Sequence, residues 1–274
     1  AWKKMWEELS DLGWLPRWLI AVTWAAPLLR WVSCRTFGVH QYGNSGSGKT
    51  ALAKFALSAW GNPNLLASSL NRTEISITEV FKHVTDLPVL YDEKQVSTVD
   101  PSQLIYAIGT ETPRARGAKL GGLRQDGLPW KTVWRTTGEE PLIGADLGGQ
   151  TNRVLQIAGE ALSRRDAERI YPFIEQNFGH AGYRYLDHLA GIVNNPERLN
   201  LMQKLYAGLR EEITAKGKGL EAHLPFVATV ALGHIIAAKN LMGCAFDYAR
   251  AQAVSDAIEA WQAATPSEPD EFAE

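Results

Sequence analysis

Gly43-Asn44-Ser45-Gly46-Ser47-Gly48-Lys49-Thr50 fits the spacing G-x-x-x-x-G-K-[ST] of a phosphate-binding P-loop. Its glycines let backbone N–H groups crowd around phosphate oxygens with no Cβ in the way. Lys49 is spaced to reach the β- and γ-phosphates of ATP, and Thr50 to place its hydroxyl on Mg²⁺. Leu87-Pro88-Val89-Leu90-Tyr91-Asp92-Glu93 is an apolar run that ends in two carboxylates. Such a run reads as a buried parallel strand whose carboxyl end meets a site. Asp92 would hold Mg²⁺ as a Walker-B aspartate does, and Glu93 would polarise the attacking water. The bland alternatives are a chance match in a glycine-rich loop and an Asp-Glu that opens a solvated turn. Each motif, standing in the right order with the other, weakens the bland reading of its partner.

These residues need elements to position them. Thr36 to Tyr42 reads as a strand entering the loop, and Ala51 to Leu57 as a helix leaving it, ended by Gly61-Asn62-Pro63. Five strands are expected, at 37–42, 65–69, 87–91, 131–137 and 153–158. Trp2, Met5, Trp6 and Leu9 recur at helical spacing, with Gly13 able to stop that helix, and further helices are expected at about 15–31, 74–84 and 100–109, the last with Asp100 as N-cap and Pro101 at the first helical position. After about Gly159 only helical periodicity remains, at about 164–178, 182–193, 196–216, 223–241 and 246–263. The expected domains are an N-terminal helical segment (1–31), a P-loop ATPase core (32–160), a helical lobe (161–264) and a flexible acidic tail (265–274). The chain opens at Ala1, inside a helical pattern, which suggests a piece of a longer protein.

Composition bounds the rest. At 274 residues, 45% of them hydrophobic, the chain can bury one large core. A net charge of −2 argues against a protein basic all over, though not against a local basic track. Cys34 and Cys244 form no disulfide framework, and six histidines show no ligand spacing, so a reducing, cytoplasmic setting without a zinc site is expected. The apolar stretch Trp18–Leu29 is shorter than the ~20 residues of a membrane span and reads as a buried helix.

Between Thr112 and Asp126 the chain is basic and rich in glycine, with Arg114, Arg116, Lys119 and Arg124. It reads as a projecting hairpin that could track a nucleic-acid backbone with little sequence preference, or as a solvated loop. Trp130 and Trp134 flank the next strand as packing residues. Ser45 and Ser47 miss the G-x-S-x-G spacing of a hydrolase nucleophile.

The order of motifs, GNSGSGKT, LPVLYDE, a basic glycine hairpin, TTGEEPL and NRVLQI, with AAPLL and SAWGNP around the P-loop, resembles the family called domain of unknown function 927. That family is found in phage and mobile-element primase-helicases, and the resemblance covers about residues 20–160. It implies an α/β fold, an AAA+-like P-loop core related to superfamily 3 and minichromosome-maintenance-type helicases, with a parallel sheet in the order 5-1-4-3-2, to which the helical periodicity adds a C-terminal lobe that resembles the family only loosely. It implies ATP and Mg²⁺ as cofactors, a homo-oligomeric and usually hexameric ring, and single- or double-stranded DNA in its channel. A primase or other domain would lie elsewhere in the full-length chain, and no membrane is involved.

Residue by residue, the resemblance keeps Lys49, Thr50, Asp92 and Glu93 in their Walker roles. It sets Thr136-Thr137, with Thr137 foremost, at a "sensor 1" position usually held by Asn. Glu139 becomes a second polar site residue or an N-cap. Arg153 is implied as the arginine finger that reaches a neighbour's γ-phosphate, and Arg164, Arg165 or Arg169 as a second sensor.

The function expected is therefore ATP hydrolysis by a ring DNA helicase or translocase. The alternative is a nucleotide-dependent protein-remodelling or regulatory ATPase without DNA activity. A small-acceptor kinase and a structural module with a dead site fit the motifs less well.

Overall fold

The computed structural model of the chain describes residues 1–69, 74–92, 100–112, 116–117, 123–124, 129–144 and 148–265. Two helices open it, α1 (Trp2–Ser10) and α2 (Trp14–Ala25). They lead to β1 (Phe37–Tyr42), the P-loop and α3 (Lys49–Ser58), followed by α4 (Pro63–Leu66), β2 (Ser68–Ser69), α5 (Glu74–His83) and β3 (Val89–Asp92). Then come α6 (Pro101–Gly109), the short strands β4 (Arg116–Gly117) and β5 (Leu123–Arg124), β6 (Val133–Gly138), α7 (Gly148–Thr151) and β7 (Val154–Ala158). Five helices close the chain: α8 (Arg164–Ile174), α9 (His180–Val193), α10 (Pro196–Lys216), α11 (Leu224–Ala237) and α12 (Phe246–Ala263).

Five strands form one parallel sheet in the order β2-β3-β6-β1-β7. Each long strand alternates its side chains between two apolar layers, as period-2 geometry requires. Phe37, Val39, Val133, Leu155 and Ile157 face α2, α3 and the C-terminal helices, while Val89, Tyr91, Trp134 and Val154 face α5 and α6. Gly38 stands opposite Trp134, and a Cβ there would lie 2.3 Å from the indole, so only glycine lets that ring cross β1.

α2 and α11 are apolar on nearly every face because both run through the middle of the helical layer. They touch where Gly233 meets the backbone of Trp24, with no room for a side chain. Residues 221–242 form the one stretch among the described residues that is long and apolar enough to cross a membrane, and it is mostly buried inside the protein. The N-terminal helices and the C-terminal helices thus share a single apolar cluster. Arg17 ties them further: Nε and Nη2 each donate to Asp256 at 2.7 Å.

Two local expectations differ from the structure. Residues 63–66 are a helical turn and not strand, because Asn62 caps it through Asn64 N–H (3.0 Å) and Pro63 occupies its first position. The helix expected over 15–31 ends at Ala25 and passes into a 3₁₀ turn at Pro27, which has no N–H to continue the α-helical ladder. Just before β7, Gly148–Thr151 form the single helical turn α7.

Candidate nucleotide site

The P-loop joins the carboxyl end of β1, the fourth strand in the sheet order, to α3. Gly43, Gly46 and Gly48 all have positive φ, at 146°, 79° and 71°. Gly48 is constrained twice, since a Cβ would also lie 2.7 Å from Leu162 Cβ and 3.3 Å from Ala167 Cβ. The loop therefore curls tightly while α8 packs against it through Ala167.

Lys49 is only 8% exposed. Its Nζ donates to the carbonyls of Gly43 (2.8 Å) and Asn44 (2.6 Å) and to Ser47 Oγ (3.1 Å). Burial lowers its pKa, while Glu139 and Glu160 pull the other way. An ammonium folded back on its own loop in this way exchanges carbonyl oxygens for phosphate oxygens when an anion enters.

Asp92 sits at the carboxyl end of β3, two places along the sheet from β1. One oxygen, Oδ1, accepts from Thr50 Oγ1 (2.9 Å) and from Thr137 Oγ1 (2.6 Å). Thr137 lies at the end of β6, which separates β3 from β1. Two adjacent strand ends and the first turn of α3 thus meet at one carboxylate. A hydroxyl and a carboxylate at this spacing are the hard oxygen donors that Mg²⁺ takes together with phosphate and water, so the residues present fit that ion.

An open cleft of about 520 Å³ lies over the loop. One side is Thr137, Gly138 and Glu139, and the other is a face of α8 carrying Arg164, Glu168 and Tyr171. Arg164 Nε pairs with Glu168 at 3.0 Å. Tyr171 is less acidic than usual, first through burial and then through the charge of Asp92. Of the three candidate second-sensor arginines, Arg164 is the one that lines this cleft, and Arg169 turns away to Glu8 on α1 at 2.6 Å. Within α8, Glu168 and Tyr171 were not legible in the sequence, because nothing local links them to a loop more than a hundred residues away.

Other candidates lie apart. Arg153 precedes β7 at the amino edge of the sheet; its Nη1 donates to the Gly149 carbonyl and its guanidinium lies 5.0 Å from the Tyr106 ring centre. β7 runs parallel to β1, with Gly38 beside Val154 and Tyr42 beside Ala158. Arg153 is therefore a strand length, roughly 15–20 Å, from the P-loop of its own chain. Glu93, Arg114 and Lys119 lie outside the described residues. Arg116 and Arg124 pair with one another across the antiparallel ladder of β4 and β5.

Residues 1–127 match the model of the family described as domain of unknown function (DUF927). The resemblance read from the motifs is borne out, over a span that takes in α1 and α2 and stops before β6. A solved structure described as "SCCmec type IV Cch - active helicase" superposes with a TM-score of 0.74 at 18% identity, over 94% of this chain and 50% of that one. The likeness at this identity is one of fold, and the chain spans about half the length of the helicase it matches. No curated protein matches.

Proposed function

We propose that this chain is the ATP-hydrolysing part of an AAA+-like ring motor, a DNA helicase or translocase that serves the replication of a phage or mobile element. The observation that carries the reading is the convergence of Thr50 and Thr137 on Asp92 Oδ1 beside Lys49. A loop that only happened to match the P-loop spacing would have no reason to meet a carboxylate and a second strand end at that point. The parallel order β2-β3-β6-β1-β7, with the loop after β1, supports the AAA+ assignment, and the fold likeness to a mobile-element helicase supports the motor.

In this reading the P-loop N–H groups and Lys49 bind the β- and γ-phosphates. Thr50 and Asp92 hold Mg²⁺, which neutralises phosphate charge when bound. Thr137 holds the Asp92 carboxylate in place and offers its hydroxyl towards the γ-phosphate side of the cleft. Glu93 follows Asp92 directly and is the candidate to orient water. Arg164, freed from Glu168, would meet the nucleotide from α8.

Arg153 lies too far from its own cleft to act there, so its role as a finger requires a neighbouring subunit, as in a hexameric ring. Arg116 and Arg124, whose backbones stand in register on β4 and β5, are in this reading candidates to meet a phosphate backbone.

The test is ATP hydrolysis with and without single-stranded DNA, on wild type and on Arg153→Ala. Stimulation by DNA, with a variant that binds ATP but hydrolyses it about 10³-fold more slowly, supports a motor with a finger in trans. Hydrolysis that ignores DNA and survives Arg153→Ala rejects the motor and leaves a protein-remodelling or regulatory ATPase.

A further inference from the structure

Thr136, His40 and Gln156 share one register across β6, β1 and β7. In-register neighbours on parallel strands point to the same face, so these three polar side chains line up on the face opposite Thr137. His40 is fully buried. A polar row at such a depth is costly unless its atoms are paired, and bonds from both His40 and Gln156 lead to one place.

That place is the segment continuing from β6 past the nucleotide cleft. His40 Nε2 lies 2.9 Å from the Glu140 carbonyl oxygen, and Nδ1 lies 2.7 Å from Thr136 Oγ1. Gln156 Oε1 accepts from Leu142 N–H (2.6 Å) and Ile143 N–H (2.9 Å), and its Nε2 donates to the Ile143 carbonyl (3.1 Å). A carbonyl can only accept, so Nε2 of His40 carries the proton. In the neutral ring Nδ1 then accepts from the Thr136 hydroxyl. Gly138 closes down on the imidazole, since a Cβ there would lie 2.9 Å from His40 Cε1 and 3.3 Å from the Glu140 carbonyl oxygen.

The turn held in this way begins with Thr137, whose hydroxyl bonds Asp92 at 2.6 Å, and includes Glu139, which lines the cleft. We infer that His40 is the positioning residue of this turn: by fixing the Glu140 carbonyl from beneath, it keeps Thr137 on Asp92 and Glu139 in the nucleotide cleft. The inference rests on the ATPase reading of the site. His40 touches neither nucleotide nor metal and acts only through the turn. A histidine kept merely to fill the core would owe nothing to its Nε2 bond.

Two near-isosteric variants separate the two ring nitrogens. His40→Gln keeps a donor at the reach of Nε2, towards the Glu140 carbonyl. His40→Asn keeps a polar atom only at the place of Nδ1, towards Thr136. In an ATP hydrolysis assay His40→Asn is expected to lower kcat about ten- to a hundredfold with KM for ATP nearly unchanged, and His40→Gln to restore most of the loss.

Amide hydrogen exchange is measured on the same proteins. Exchange across residues 138–143 should quicken in His40→Asn and not in His40→Gln, with β1 and β6 equally protected in both. Two results overturn the proposal: an Asn variant as active as wild type, or equal losses in both variants accompanied by loss of strand protection. A wild type that hydrolyses no ATP would sink the ATPase reading instead. The exchange pattern would then still decide whether His40 holds the turn.

Discussion

The nucleotide cleft and the helical core beside it treat buried polar atoms in opposite ways. In the cleft Lys49, Ser47, Thr50, Asp92 and Thr137 bond to one another or to loop carbonyls. In the core, His234 is 3% exposed with neither ring nitrogen paired, and the indole N–H groups of Trp18 and Trp24 and Nη2 of Arg135 have no partner. Burial pushes Arg135 down to about 10 and His234 down to about 4. The polar groups of the cleft cost little because they satisfy each other. The core is held by apolar contact and by the Arg17–Asp256 pair, and it carries unpaired polar groups at a cost in stability. Changes in the cleft should therefore alter rate without unfolding the chain, and changes in the core should do the reverse.

Asp92→Asn is the largest expected break. It keeps an oxygen to accept from Thr50 and Thr137 but removes the charge, so kcat for ATP should fall about 10²–10³-fold while the thermal midpoint stays close to that of wild type. A large drop in the midpoint would show that the cleft also holds the fold together.

Asp256→Ala probes the other side. Asp256 is 2% exposed and carries the bidentate bond from Arg17, so its removal leaves the partly buried guanidinium with the Ser10 carbonyl (3.0 Å) in place of its carboxylate. A loss of about 3–5 kcal/mol in urea unfolding is expected, with ATP turnover per folded molecule unchanged.

The smallest effect concerns pH. His234 titrates near 4 when folded, against about 6.5 when unfolded. Between those values the unfolded chain binds the extra proton, so stability falls as pH drops from 6.5 to 4, by roughly 3 kcal/mol from this residue. Above 6.5 both states are neutral and the term vanishes. His234→Leu should flatten that part of the stability–pH curve, and an unchanged slope would mean that the buried ring is not the cause.

Much of the site was legible because its signals are local. The P-loop glycines announce positive φ within eight residues, and both Asp92 at the end of an apolar run and the Asp100-Pro101 helix start need only their neighbours to be read. The same locality explains the misreading of 65–69, where apolar Leu65 and Leu66 suggested a strand and the Asn62 cap with Pro63 made a helical turn. His40 gave no signal as a polar group to be placed. Inside β1 it is simply a histidine, and its bonds reach residues about a hundred positions on.

The sequence by itself determined the phosphate loop, the carboxylate strand and the run of C-terminal helices, since each depends on backbone preferences and apolar periodicity within a few turns of chain. The tertiary structure alone decided that Thr50, Asp92 and Thr137 share one oxygen, which face of α8 walls the cleft, and that Arg153 stands a strand length from the P-loop of its own chain. These depend on which strands are neighbours and which helix covers them. That order is set by packing two apolar layers against one parallel sheet, and by no residue's local preference.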